Sequence, residues 1–184
     1  LPPGEAFPLV KKLLQINQRF FEDPMIEIVL LSRNSADTGL RVFNSIEHYG
    51  LSLSRAAFCG GNSPWRYIGA FGCHLFLSNE ATDVKSALEN GVAAATLMST
   101  YPNLEDEDEV RFAFDGDAVL FSDEAEKVYK LQGLDTFSQS EKASAKTPLS
   151  GGPFKPFLAA LHKLQKHSSL AKFSPIKTAL VTAR

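Results

Sequence analysis

Apolar positions recur along this chain with two periods, one helical and one alternating. Phe7, Val10, Leu13, Leu14, Asn17, Phe20 and Phe21 fall on one stripe at helical spacing after the Gly4 to Pro8 opening. Ile26-Glu27-Ile28-Val29-Leu30-Leu31 then reads as a strand ending at Ser32-Arg33-Asn34-Ser35. Leu40, Val42, Phe43, Ile46 and Tyr49 return to helical spacing, with Gly50 placed to cap that helix. Ala56 to Cys59 is a short buried strand leading into Gly60-Gly61-Asn62-Ser63-Pro64, followed by a helix around Trp65 to Gly69. Cys73 to Leu77 is the next strand, Asp83 to Asn90 a helix closed by Gly91, and Val92 to Met98 another strand. Val110, Phe112 and Phe114 alternate as a half-buried strand does. Asp123 to about Gln132 reads as a helix capped by Gly133, and Ser138 to Thr147 as a polar connection. Phe157, Leu158, Leu161 and Leu164 mark a helix over Pro156 to Lys166, and Thr178 to Val181 closes the series as a strand. Strands and helices alternating at these lengths predict an α/β fold whose sheet is mostly parallel and covered on both faces. In such sheets ligands bind at the carboxyl ends of the strands.

One strand end carries chemistry. The strand at Val110 runs into Asp115-Gly116-Asp117, two carboxylates separated by a residue with no side chain. Residues i and i+2 of an extended segment point the same way, so both carboxylates can face one site. Two carboxylates on a rigid strand end suit a hard cation and proton or phosphoryl chemistry. The competing reading is an Asp-Gly hairpin turn. Against it, Ser122 followed by Asp123, Glu124 and Glu126 is the pattern of a helix start.

Composition narrows the classes. The chain has 184 residues, enough for one substantial core or two small ones, and it is 44% hydrophobic and 22% charged. A formal charge of -2 offers no general attraction to a polyanion, which argues against nucleic acid as a partner. No apolar run approaches a membrane-spanning length and no signal peptide is visible, so neither a membrane nor secretion is expected. Cys59 and Cys73 could form one disulfide, but they read as buried free thiols. The four histidines lie at no ligand spacing and read as packing or surface residues. The acidic run Glu105 to Glu109 reads as a solvated loop, since nothing orients its carboxylates.

The chain also repeats itself. Gly4 and Pro8 fall opposite Gly152 and Pro156, and Glu27 to Arg33 falls opposite Lys177 to Ala183. Each Gly-x-x-x-Pro is followed by an amphipathic helix, a polar break and an apolar strand with a hydroxyl residue after it, Ser32 or Thr182. A duplicated α/β unit follows, with residues 1–104 as one half and 105–184 as the start of a second. On that reading the chain begins partway through one unit and stops partway through the next.

With these phrases placed, the sequence resembles the haloacid dehalogenase superfamily of phosphatases, and more narrowly the cytosolic 5'-nucleotidases of type I and their bacterial relatives. Phe114-Asp115-Gly116-Asp117-Ala118-Val119-Leu120 is similar to that superfamily's first signature. Asn44 to Tyr49, Gly60 to Pro64 and Gly91 to Thr96 also look like phrases of the family. The resemblance implies a cytoplasmic, Mg²⁺-dependent hydrolase of nucleoside 5'-monophosphates, with Asp115 as nucleophile and Asp117 as acid and base. It implies Mg²⁺ on the Asp115 carboxylate and the Asp117 carbonyl, and a phosphate oxygen on Thr182. The family's further lysine and acidic metal ligand, expected after Thr182, do not occur in this sequence. Residues 1–104 then read as a degenerate half, with Arg33, Asn34 and Asn62 as candidates for nucleotide contacts. Another small phosphomonoester as substrate, or a non-catalytic nucleotide-binding protein, are the alternatives, and the oligomeric state is left open.

Overall fold

A computed structural model describes residues 1–18, 24–53, 55–98, 109–115, 144, 146, 151–167 and 174–181. The expected helix at Asp123 to Gln132 and the connection at Ser138 to Thr147 fall almost wholly outside these residues. Helix α1 is Phe7–Asn17, followed by β1 (Val29–Ser32), a 3₁₀ turn at Ala36–Thr38 and α2 (Gly39–His48). Next come β2 (Arg55–Phe58), a 3₁₀ turn at Pro64–Tyr67, the single-turn helix α3 (Ile68–Phe71), β3 (Phe76–Ser78), α4 (Ala81–Glu89) and β4 (Ala94–Thr96). Strand β5 (Val110–Asp115), helix α5 (Lys155–Gln165) and β6 (Ile176–Val181) complete the described elements.

Strands pair in parallel throughout the described residues: β1 with β2, β3 with β4, and β5 with β6. The parallel α/β expectation therefore holds. Among the described residues, the partner of β5 is β6, a strand far along the chain. Strands β1, β3 and β4 begin later than hydrophobicity alone suggests, and hydrogen bonding gives the reason. The Asn17 side chain accepts from the Ile26 amide at 3.0 Å and donates to the Ile26 carbonyl at 2.6 Å. That backbone is thus held by a helix end before β1 starts. Likewise the Cys73 and Val92 amides donate to Ile68 and Ala87, closing α3 and α4 before β3 and β4 begin. Asn17 and Gln165 play matching parts, because the Gln165 side chain donates to the Ile176 carbonyl at 3.0 Å.

Helices α2 and α4 end as the sequence indicates. Gly50 and Gly91 have φ of 63° and 75°. At each, the following amide reaches back to the helix (Leu51 to Ile46, Val92 to Ala87) and the glycine amide bonds three residues back. A Cβ at Gly91 would touch nothing within 4 Å. The whole cost of Gly91→Ala is then backbone, about 1 kcal/mol for forcing a non-glycine residue into the left-handed region. Urea unfolding of that variant is expected to show this loss.

Two apolar clusters form around the strands. One joins Ile16, Ala93, Val110, Phe114, Phe154, Phe157, Leu161 and Ile176. The other joins Ile68, Phe76, Val84, Ala87 and Ala94, and Leu88 of α4 packs against both. Adjacent residues Ala93 and Ala94 enter different clusters, as expected where successive side chains leave opposite faces. Val110 and Ile176 are register partners and both are buried, each contributing about 2 kcal/mol by area removed from water. At the far end of β6, Leu180 and Val181 are 55% and 59% exposed.

Candidate active site

Asp115 is the last residue of β5 and lies at its carboxyl end. Alternation sets its direction. Val110 and Phe114 are buried, Phe112 is half-buried, and Arg111, Ala113 and Asp115 are exposed, so the carboxylate leaves the face opposite the aromatic core. That core fixes the strand. Phe114 packs edge-on to Phe154 at 6.1 Å between ring centres, and Phe112 edge-on to Phe157 at 5.4 Å, both partners belonging to the start of α5. The six-residue register with β6 runs from Val110 opposite Ile176 to Asp115 opposite Val181. At the amino end the half-buried Glu109 holds Arg111 at 3.1 Å and Lys177 at 4.0 Å, one cation from each strand. Glu109 thus has an ionic role that the reading of a solvated acidic run missed. Asp117 and Thr182 lie outside the described residues, although Thr182 follows Val181 directly in the chain.

The second group of candidates gathers at the carboxyl ends of β1 and β2. The Gly60 and Gly61 amides donate to the Asn34 and Arg33 carbonyls at 3.1 and 2.6 Å, locking the two strand-end loops together. The Asn34 amide turns back to Ser32 Oγ at 3.2 Å, and Asn62 Nδ2 braces its own loop on the Cys59 carbonyl at 3.1 Å. Arg33, Asn34 and Asn62 therefore lie on two loops that are bonded to each other.

Arg33 is also tied to a residue that the sequence did not single out. Its Nε and Nη2 donate to Asp83 Oδ2 and Oδ1 at 3.0 and 2.6 Å, a two-pronged ion pair. Ser63 Oγ donates to the same Asp83 Oδ1. The Asp83 side chain is 3% exposed and that of Arg33 is 44% exposed. Burial pushes the Asp83 carboxyl up, and the hydrogen bonds from Arg33 and Ser63 outweigh it, leaving the group below its ordinary value. The Arg33 guanidinium is raised further, mainly by its hydrogen bonds to Asp83. A signal for Asp83 did exist. It lies on α4 four residues before the buried Ala87 and beside the buried Val84, so helical geometry puts this carboxylate on the core-facing side.

Cys59 and Cys73 are both free, with Cys59 buried and Cys73 half-buried. Burial raises both thiols, and for Cys59 the nearby Asp83 charge adds to the effect, so neither is a ready nucleophile.

For a magnesium ion the donor chemistry at Asp115 is suitable, an exposed carboxylate on a fixed strand end being a hard oxygen ligand. Among the described residues no group of three or more His, Cys, Asp or Glu side chains gathers around one point, so Asp115 is the donor they offer there.

Comparison with known proteins decides the family. The family model described as 5'-nucleotidase matches residues 1–184. The chain belongs to the 5'-nucleotidase family. It is 40% identical over 193 residues to cytosolic 5'-nucleotidase 1B of Homo sapiens, a match covering 100% of this chain and 32% of that protein. The chain thus spans about a third of the curated relative's length. No solved structure gives a significant match. No helix among the described residues is long and apolar enough to cross a membrane.

Proposed function

We propose that this chain carries the nucleophile of a Mg²⁺-dependent 5'-nucleotidase, which hydrolyses nucleoside 5'-monophosphates to nucleoside and phosphate in the cytoplasm. The observation that carries this is the position of Asp115. In a chain of the 5'-nucleotidase family, it is an exposed carboxylate at the carboxyl end of a parallel strand whose packing is done by the opposite face. The human relative, named a cytosolic 5'-nucleotidase, supports both the substrate class and the compartment.

The chemistry follows from the residues. An Asp115 carboxylate oxygen attacks phosphorus and forms an acyl phosphate while the bond from phosphorus to the ribose 5' oxygen breaks. Asp117 gives its proton to that departing oxygen. It then takes a proton from a water that attacks the acyl phosphate, so that the bond from Asp115 to phosphorus breaks and free phosphate leaves. Thr182, next after the residue paired with Asp115, donates its hydroxyl to a phosphate oxygen. Magnesium held by the Asp115 carboxylate and the Asp117 carbonyl would supply positive charge against the phosphate oxygens. Asp115 oxygens and a backbone carbonyl are the ligand types this ion prefers.

A haloacid dehalogenase-like architecture built from a duplicated unit, residues 1–104 and 105–184, suits this chemistry. The matched helices α1 and α5 support it. Each opens with a proline in its first turn and ends in an amide side chain donating to the carbonyl of Ile26 or Ile176, ahead of β1 or β6. In this arrangement Ser32 corresponds to Thr182, and Arg33, Asn34 and Asn62 contact the nucleotide.

The test is phosphate release from a panel of nucleoside monophosphates by the intact natural protein, with magnesium and after chelation. Release is expected from the panel and is expected to stop on chelation and return with added magnesium. Turnover that survives exhaustive chelation defeats the metal assignment, and no release from any nucleotide defeats the function.

A further inference from the structure

The geometry points to Arg33 as the residue that recognises the nucleoside part of the substrate, with Asp83 and Ser63 as the positioning residues that aim it. This inference rests on the hydrolase reading above and extends it to the source of substrate discrimination.

Arg33 follows the last residue of β1, at the carboxyl end of a parallel pair, where α/β sheets bind ligands. Two of the five guanidinium N–H donors are spent on Asp83, through Nε and Nη2. Nη1 donates to no described residue, and the side chain is 44% exposed. One edge of the fork is thus clamped to a buried carboxylate while the other faces outward. The Arg33 backbone is fixed as well, since its carbonyl accepts the Gly61 amide at 2.6 Å. Beside it the chain is bare. Gly60 and Gly61 have φ of 55° and 89°, and a Cβ at either would meet nothing within 4 Å. A planar cation held in one orientation over open backbone can stack on a base and donate to its acceptors.

The clamp also says what Arg33 does not do. Paired with Asp83, the guanidinium brings little net charge, so it is poorly suited to gripping a dianionic phosphate. The phosphate chemistry belongs to the other strand pair, at Asp115. What remains for Arg33 is directional recognition, which requires that it be held still. Ser63 contributes by bonding Asp83 Oδ1, the oxygen that also receives Nη2. A freely rotating arginine would lose side-chain freedom on binding, a cost the clamp removes beforehand.

The experiment compares a nucleoside monophosphate with p-nitrophenyl phosphate, a phosphomonoester lacking a nucleoside, on the intact natural protein. The readout is the ratio of their kcat/KM values. Arg33→Lys keeps the charge but loses the fork, and is expected to lower the ratio about tenfold, mainly through KM for the nucleotide. Asp83→Asn is expected to lower it several-fold with Arg33 still present, which a purely structural role would not do. The double variant Arg33→Met with Asp83→Asn leaves no buried charge unpaired, and is expected to keep the lowered ratio. An unchanged ratio in Arg33→Lys, or a normal ratio in the double variant, overturns the assignment and leaves the clamp a loop staple. A wild-type protein inactive on both substrates overturns this inference together with the hydrolase reading, whereas an active one with an unchanged ratio overturns the inference alone.

Discussion

Replacing Asp115 with asparagine is expected to lower phosphate release about 10⁵-fold, the scale of losing a catalytic nucleophile. Asparagine has the shape of aspartate, so the substrate still fits, but its amide oxygen is a far weaker nucleophile and cannot yield a stable acyl phosphate. The fold is expected to survive. Asp115 is exposed on the face of β5 opposite the aromatic cluster, and the strand is anchored by Val110 and Phe114 and by pairing with β6. The urea unfolding midpoint should therefore match the wild type while turnover disappears. Two measurements check this on one sample: phosphate release under single-turnover conditions, and unfolding followed by circular dichroism. Wild-type-like release would remove Asp115 from the mechanism, and lost activity with a collapsed midpoint would make its role structural.

Much of this could be read from the residues alone, because the relevant physics is local. A period of two along Val110 to Asp115 sets which face holds the phenylalanines and which the carboxylate, and the structure follows it. The glycine caps at Gly50 and Gly91 are equally local, since only the left-handed conformation closes those helices economically. The strand starts were not legible. The apolar run at Ile26 looks like strand from its first residue, yet Ile26 is bound to a side chain nine residues earlier. Hydrophobicity carries no mark of such a bond.

The Arg33 cluster shows the same limit on a larger scale. Arg33 and Asp83 are 50 positions apart, and each alone has an ordinary explanation, a polar loop residue and an acid in the first turn of a helix. Only the folded chain, with β1 and α4 brought together, reveals that they form a pair. The sequence singled out Arg33, Asn34 and Asn62, all of which follow strand ends, and the fold brings their two loops together. The sequence left out Asp83 and Ser63, which determine where Arg33 points.

The unequal burial of that pair makes its two single variants unequal. Arg33→Met strands a carboxylate whose side chain is 3% exposed, leaving Ser63 as its polar side-chain partner, and an uncompensated buried charge at Asp83 costs about 3 kcal/mol. Asp83→Asn instead leaves a half-exposed guanidinium that can turn to water, so its loss is expected to be the smaller one. The pH dependence separates the causes. In the wild type the Asp83 carboxyl sits below its unfolded value of 3.8, so its contribution is complete above that value and is lost as pH falls through the lower folded one. In Arg33→Met, burial without the guanidinium raises the same group above 3.8, so acid protonates it and relieves the penalty. The stability gap between wild type and Arg33→Met should consequently be widest near neutral pH and narrow steadily toward pH 4. Adding Asp83→Asn to Arg33→Met should recover part of the loss at neutral pH and remove most of the pH dependence. Urea unfolding of the four proteins at neutral and acidic pH measures all of this, and a gap independent of pH would mean that the buried charge is not what Arg33 stabilises.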